Sequence, residues 1–247
     1  MVASGPCKPI ETFEVTAADY SEGKADAPIT FIEYASMTCS HCAHFTQEVL
    51  PQIRANYIEK GYVRYVYREF PLDRVALAAS VAGRCLAREA YLPYIEMMYS
   101  ELQTWATQQD QRGAIKEMAR RAGMSGDEFE KCLSTEDDAK KIVAAQTEAS
   151  KKYCIGSTPT FLLNGKGMTN GDYADFDEKL RAELKAKGVV IPAAATATEG
   201  VAVPADASVP AATPATDAAT PAASTPPPAI TPAAPAPSKP ASGTPSP

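Results

Sequence analysis

Cys39 and Cys42 are separated by two residues in the stretch YASMTCSHCAHF (34–45), and both histidines of the 247-residue chain, His41 and His44, fall within it. Such a cluster has three readings: a soft-ligand metal site, a structural staple, or a pair of thiols that exchange electrons. A cysteine acts as a nucleophile only as its thiolate, and an unperturbed thiol, with a pKa of about 8.5, is roughly 3% ionised at neutral pH. At the first turn of a helix, unpaired backbone N–H groups and the positive dipole end favour the ionised sulfur. An imidazole at His41, between the two cysteines, can donate to Cys39 or place a positive charge against it. The chemistry therefore depends on the element that Cys39 opens.

The flanking pattern answers that. APITFIEYAS (27–36) is mostly apolar from Ile29 to Tyr34, as a central strand buried on both faces would be. From Cys42, residues Phe45, Val49, Ile53 and Tyr57 recur at four-residue spacing, which predicts a helix running to Lys60 with a kink at Pro51. Gly61 ends it, and YVRYVYREF (62–70) alternates as a strand does. The cysteine pair thus sits where the strand of a β-α-β unit turns into its helix. ETFEV (11–15) reads as a further strand ahead of this unit.

Residues 72–153 change character. Stripes on Leu77, Val81 and Cys85, on Leu92, Ile95, Met98 and Tyr99, and on Ile115, Met118, Ala119 and Ala122 predict helices. SGDEFEKCL reads as a capped helix, with Ser125 as cap and Glu128 three residues on, and STEDDAKKIVAAQTEASKKY as another with an acidic start. Four or five helices are expected here, with Trp105 and Met97-Met98 as core or groove lining. After them TPTFLLNG (158–165) predicts a strand closed by an Asn-Gly turn, KGMTNG a short partner strand, and DYADFDEKLRAELKAKG a terminal amphipathic helix on Phe176, Leu180 and Leu184.

Composition bounds the rest. Residues 192–247 hold 14 of the 21 prolines and no aromatic residue, so they cannot bury enough apolar surface to offset their ordering entropy. We expect a disordered Pro/Ala/Thr-rich tail over 191–247, acting as a solvated linker or spacer. The tail carries three acids and one lysine of a chain whose net charge is −6, which leaves a mildly acidic body without a basic stripe and argues against nucleic acid as a partner. No apolar run approaches the roughly 20 residues of a membrane span. Six cysteines favour an oxidising compartment, and we expect an exported form from which the signal peptide has been removed.

CSHC, with histidine just before the second cysteine, together with GSTPTF near the far strand, resembles the DsbA family of periplasmic thiol:disulfide oxidoreductases. The resemblance covers about residues 12–188. It implies an α/β thioredoxin fold, from 8–71 and 154–190, carrying an all-helical insertion at 72–153. It further implies Cys39 as the attacking, substrate-linked thiol, Cys42 as the buried resolving thiol, and Ser40 and His41 as the residues that tune them. Thr158-Pro159 would form a cis-proline loop that pairs with an extended substrate peptide. Glu33 matches the family's buried acid beneath the active site, where proton transfer for Cys42 would justify an otherwise costly carboxyl; the alternative is a strand-edge glutamate facing water. The implied partners are reduced exported proteins and a membrane quinone-linked oxidase of the DsbB type, acting on a monomer in the periplasm without a bound cofactor. Family oxidases commonly have proline where Ser40 stands and valine where Thr158 stands, and threonine there is shared with isomerases, so a disulfide isomerase or reductase is the alternative within the fold.

Cys85 shares a face with Leu77 and Val81, and Cys132 with Phe129 and Leu133, so both are expected to point inward. With Cys39 and Cys42 set aside, four cysteines allow three pairings. We favour Cys85–Cys132 as a structural disulfide, a bridge of a kind also found in some family relatives, against two buried reduced thiols. Cys7 and Cys154 are left without assigned partners. Outside the redox class stand a copper(I) or zinc module built on Cys39, His41, Cys42 and His44, and a peptide-binding chaperone. Metal is disfavoured because His41 and Cys42 project to different faces of a helix and no further histidine exists to close the site.

Overall fold

The computed structural model describes residues 14–191; Cys7, the start of the strand expected at 11–15, and the tail at 192–247 lie outside the described residues. The central strand β2 (Ile29–Ala35) runs parallel to β3 (Val63–Glu69) and antiparallel to β4 (Thr160–Leu163). A short β1 (Tyr20–Glu22) closes one edge against β3, and β5 (Lys166–Met168) closes the other, giving the order β1-β3-β2-β4-β5. The apolar run of β2 reflects cover on both faces. Ile29, Phe31 and Ala35 enter the main core, while Ile32 and Tyr34 pack with Val66, Phe70, Ala149, Ile155 and Leu162 on the other face. Glu14 and Val15, placed in a strand by their sequence, are irregular, and the edge strand falls at Tyr20–Glu22 instead. Three residues are too few to show an alternation.

The helix after β2, here α1, is continuous over 40–58. It begins as an α-helix at Ser40–His44, widens to π turns at Phe45–Val49, resumes at Leu50–Ile53, and widens again at Arg54–Ile58. The expected disturbance at Pro51 takes this form. Proline has no N–H for the preceding turn, and the backbone rearranges to five-residue hydrogen bonds such as Leu50 N–H to Phe45 O. Gly61, at φ +79, ends the segment.

Six α-helices separate β3 from β4 among the described residues. They are α2 (Arg74–Arg84), α3 (Tyr91–Ser100), α4 (Leu102–Trp105), α5 (Gln111–Arg121), α6 (Gly126–Ser134) and α7 (Asp137–Tyr153). The one beyond expectation is the single-turn α4, which carries Trp105 into the core so that its indole N–H meets Met98 O at 2.7 Å. The capping box on Ser125 and Glu128 forms as its spacing predicts. Cys85 and Cys132 form a disulfide that ties the end of α2 to α6. Cys132 is buried as expected, but Cys85 is exposed: it is the C-cap of α2, where the inward stripe of that helix runs out. A partly buried ion pair ties the end of α2 to β3. Arg84 holds Glu69 through two hydrogen bonds at 2.7 and 2.9 Å, and the Tyr91 hydroxyl donates to the same carboxylate at 2.7 Å.

Beyond the insertion, Asn164 (φ +47) and Gly165 (φ +84) make the expected two-residue turn between β4 and β5. Asn164 also joins the sheet, accepting from Thr30 N–H and donating to Thr30 O. The terminal helix α8 (Tyr173–Ala186) opens with a capping box on Asp172 and Asp175, and its Phe176, Leu180 and Leu184 are fully buried. Phe176 joins Phe31, Phe45 and Phe161 in an aromatic cluster with ring centroids 4.5 Å apart at Phe45–Phe161 and 5.0 Å at Phe161–Phe176. This cluster fixes α1 on the central strand, and with it the position of Cys39.

Candidate active site

Cys39 is the N-cap of α1, with extended backbone (φ −84, ψ 117), and both it and Cys42 are free thiols. Cys39 retains 9% of its surface and Cys42 none. The Cys39 thiol donates to the carbonyl of Thr158 at 3.4 Å, and the Thr158-Pro159 peptide is cis. The two sulfurs have opposite proton affinities. Cys39 is pulled down to about 5, chiefly because the Cys42 thiol donates to its sulfur; Thr158 and the backbone N–H groups of Cys42 and His41 add to this, and partial burial opposes it. Cys42 is pushed far up by burial first, then by its hydrogen bond to Cys39 and by the nearby Glu33 carboxyl. One sulfur is therefore thiolate at neutral pH, in about hundredfold excess over thiol, and the other keeps its proton.

Glu33 lies in the central strand with no exposed surface, which removes the alternative of a water-facing strand edge. One oxygen, Oε2, accepts from the Tyr65 hydroxyl at 2.5 Å, while Oε1 is buried with no hydrogen-bond partner. Burial, opposed by the Tyr65 donor, pushes the Glu33 carboxyl up to about 8. Beside it, Tyr67 and Tyr99 share a hydroxyl contact at 3.2 Å, and the Tyr99 hydroxyl donates to Ser36 O at 3.0 Å. The backbone of Ser36 also hydrogen-bonds the Cys42 sulfur. None of Tyr65, Tyr67, Tyr99 or Ser36 stands out in the sequence. The only signal is the spacing of Tyr65 and Tyr67 in β3, which puts both on one face of the strand; that this face meets Glu33 depends on strand register.

Ser40 and His41, between the cysteines, are both exposed, and it is the backbone N–H of His41, not its imidazole, that favours the Cys39 thiolate. His44 is exposed as well. It borders a shallow groove with Ser40, Gln47, Leu102 and Thr104, where α1 meets α4. Among the described residues no group of three or more His, Cys, Asp or Glu side chains converges in a way that could hold a metal ion. The loop before Cys39 is tied to the insertion: the Thr38 hydroxyl donates to Asp73 at 2.6 Å, and Asp73 is the N-cap of α2, accepting from Ala76 N–H at 2.7 Å.

Residues 16–182 match the thioredoxin family model. The crystal structure of Wolbachia pipientis alpha-DsbA1 superposes with a TM-score of 0.63 at 27% identity, covering 70% of this chain and 95% of that one. The chain is a DsbA-type member of the thioredoxin family. It is also similar to the disulfide bond formation protein D of Bacillus subtilis, 25% identical over 174 residues, 67% of this chain and 77% of that protein. A Rickettsia bellii chain with the provisional name of protein-disulfide oxidoreductase is 27% identical over 160 residues, 64% of this chain and 62% of the other. The chain thus spans about three fifths of the length of the Rickettsia relatives it matches. The fold and the family agree with what CSHC and GSTPTF imply.

Proposed function

We propose that this DsbA-type protein is a thiol:disulfide oxidoreductase that works as a dithiol oxidase, introducing disulfides into exported proteins in the periplasm. The observation that carries the proposal is the place of Cys39 at the N-cap of α1, against Thr158 and beside a Cys42 with no exposed surface, a setting that pulls its proton affinity down to about 5. Breaking a Cys39–Cys42 disulfide would release a stabilised thiolate, so the bridge is easy to reduce and its owner oxidises other thiols. Each unit by which Cys39 is lowered favours reduction about tenfold, or roughly 30 mV.

In the proposed cycle a substrate thiolate attacks the Cys39 sulfur, the more exposed of the two, while the peptide lies along Thr158 and Pro159. A bond forms between the substrate sulfur and Cys39 as the Cys39–Cys42 bond breaks. The electron pair leaves on Cys42, and the proton of Glu33 passes to it. A second substrate thiol gives its proton to solvent and, as thiolate, attacks the substrate sulfur of the mixed disulfide, releasing an oxidised substrate and Cys39 as thiolate. Ser40 and His41 act by holding the first turn, whose N–H groups face the sulfur. The thioredoxin-like part (8–71 and 154–190) supplies this chemistry, the insertion (72–153) frames it, and a membrane quinone-linked oxidase of the DsbB type returns the pair to the disulfide. The protein acts as a monomer and needs no bound cofactor.

The second reading, disulfide isomerase, is favoured by one residue, the threonine before the cis proline. Redox equilibration with glutathione, beside assays on a reduced and on a scrambled model protein, separates the two. An oxidase gives a potential well above that of thioredoxin and acts on the reduced protein. A thioredoxin-like potential with activity only on the scrambled one would overturn the proposal.

A further inference from the structure

Glu33 sits on β2 with no exposed surface, and its two oxygens have different surroundings: Oε2 accepts from Tyr65, while Oε1 is buried and unpartnered. The titratable groups facing it are Cys39 and Cys42 from α1, Tyr65 and Tyr67 from β3, and Tyr99 from α3, while β4 presents Phe161. No cation stands among these described residues. A buried carboxyl with a cation beside it would be held ionised; here a single neutral phenol is the whole of its hydrogen bonding.

We propose that Tyr65 is a positioning residue for proton transfer in this site, its hydroxyl fixing Glu33 Oε2 and setting how readily the proton on the other oxygen passes to Cys42. The inference rests on the oxidase reading above and names the group that tunes its proton step. As the Cys39–Cys42 bond breaks, the electron pair goes to the Cys42 sulfur and the Glu33 proton follows it, leaving a carboxylate. Tyr65 keeps its own proton, which burial first and the Glu33 carboxyl next hold well above the ordinary phenol range. Its hydrogen bond strengthens as the carboxylate forms, because a charged acceptor binds a donor more tightly than a neutral one. Tyr65 therefore favours the state after proton transfer over the state before it. The bond does no work unless the carboxyl titrates, which separates this role from simple packing.

The test is the pH profile of a single turnover, in which the oxidised protein meets a reduced peptide dithiol, together with difference infrared spectra of the Glu33 carboxyl band. Tyr65→Phe should move the pH midpoint of the band, and the alkaline limb of the profile, upward by about one pH unit, and slow the step at pH 7 roughly tenfold. Incorporating 3,5-difluorotyrosine at position 65 keeps the shape of the side chain and makes it a stronger donor. It should move both downward, which keeps the test valid even if Tyr65→Phe folds poorly. Glu33→Gln should remove the band and the limb. A carboxyl midpoint indifferent to both changes at Tyr65 overturns the inference whatever the turnover shows. A wild-type protein that fails to oxidise the dithiol, with the midpoint moving as expected, overturns the oxidase reading instead.

Discussion

The Cys39 sulfur lies 3.4 Å from the carbonyl oxygen of Thr158, and the hydroxyl of the same threonine is buried without a hydrogen-bond partner. A thiol can donate to that carbonyl; a thiolate cannot, and the hydroxyl is then the donor at hand. Thr158→Val should therefore raise the Cys39 pKa from about 5 by roughly one unit and make the disulfide about 30 mV harder to reduce. Thiolate absorbance followed against pH, with a glutathione redox titration, checks both shifts, and an unchanged Cys39 midpoint would show that the hydroxyl plays no part.

Glu33 makes the folded protein pH-sensitive. Its folded value, about 8, lies above that of an exposed carboxyl at 4.5, so its stabilising contribution is complete below 4.5 and is lost as pH rises towards 8. At about 1.4 kcal/mol per unit, an upshift of this size in the reduced protein corresponds to roughly 3 kcal/mol lost between pH 4.5 and 7 through this group. Denaturant unfolding of wild type and Glu33→Gln across that range should show the slope in the first and a flatter line in the second. Parallel lines would mean that Glu33 does not carry the proton assigned to it.

Cys39 acts with the opposite sign, and only when the pair is reduced. Its folded value is depressed from 9 to about 5, so the stability it adds is present above 9 and is lost as pH falls through 5. The reduced protein should thus gain on the oxidised one as pH rises between these values. Unfolding midpoints of the two redox states, measured side by side in the Glu33→Gln background, report the difference free of Glu33, whose carboxyl the Cys39 charge pushes up only in the reduced protein. Redox states that keep a constant gap from pH 5 to 9 would be the contrary outcome.

The Cys85–Cys132 bridge spans 47 residues, and removing it with Cys85→Ser and Cys132→Ser together should cost about 4 kcal/mol by loop-closure entropy. Because it joins α2 to α6, away from Cys39, the dithiol chemistry should survive the change. A stability scan beside a single-turnover assay measures both, and a large loss of rate at equal folded fraction would contradict the separation.

How far the sequence leads depends on how local each feature is. The strand-to-helix placement of Cys39, the Asn164-Gly165 turn and the Ser125–Glu128 capping box each follow from a few neighbouring residues, and the structure contains them all. The buried face of α8 is equally local, since Phe176, Leu180 and Leu184 repeat at the helical period. What the sequence leaves hidden is non-local. Tyr65 reaches Glu33 because β2 and β3 pair in one parallel register, with Phe31 opposite Tyr65, and a shift by one residue would send that tyrosine to the other face. Cys85 leaves the apolar stripe because α2 stops one residue earlier, and His41 is exposed while its backbone N–H serves the Cys39 sulfur.

The carboxylate of Asp73 has two tasks at once, starting α2 and receiving the Thr38 hydroxyl one residue before Cys39. A chimera that grafts onto this sheet, with its junction after Phe70, the helices of a relative without an acid at this N-cap would remove that carboxylate together with the transplant. The recipient would then keep both cysteines yet lose a tether on the loop that aims the first of them.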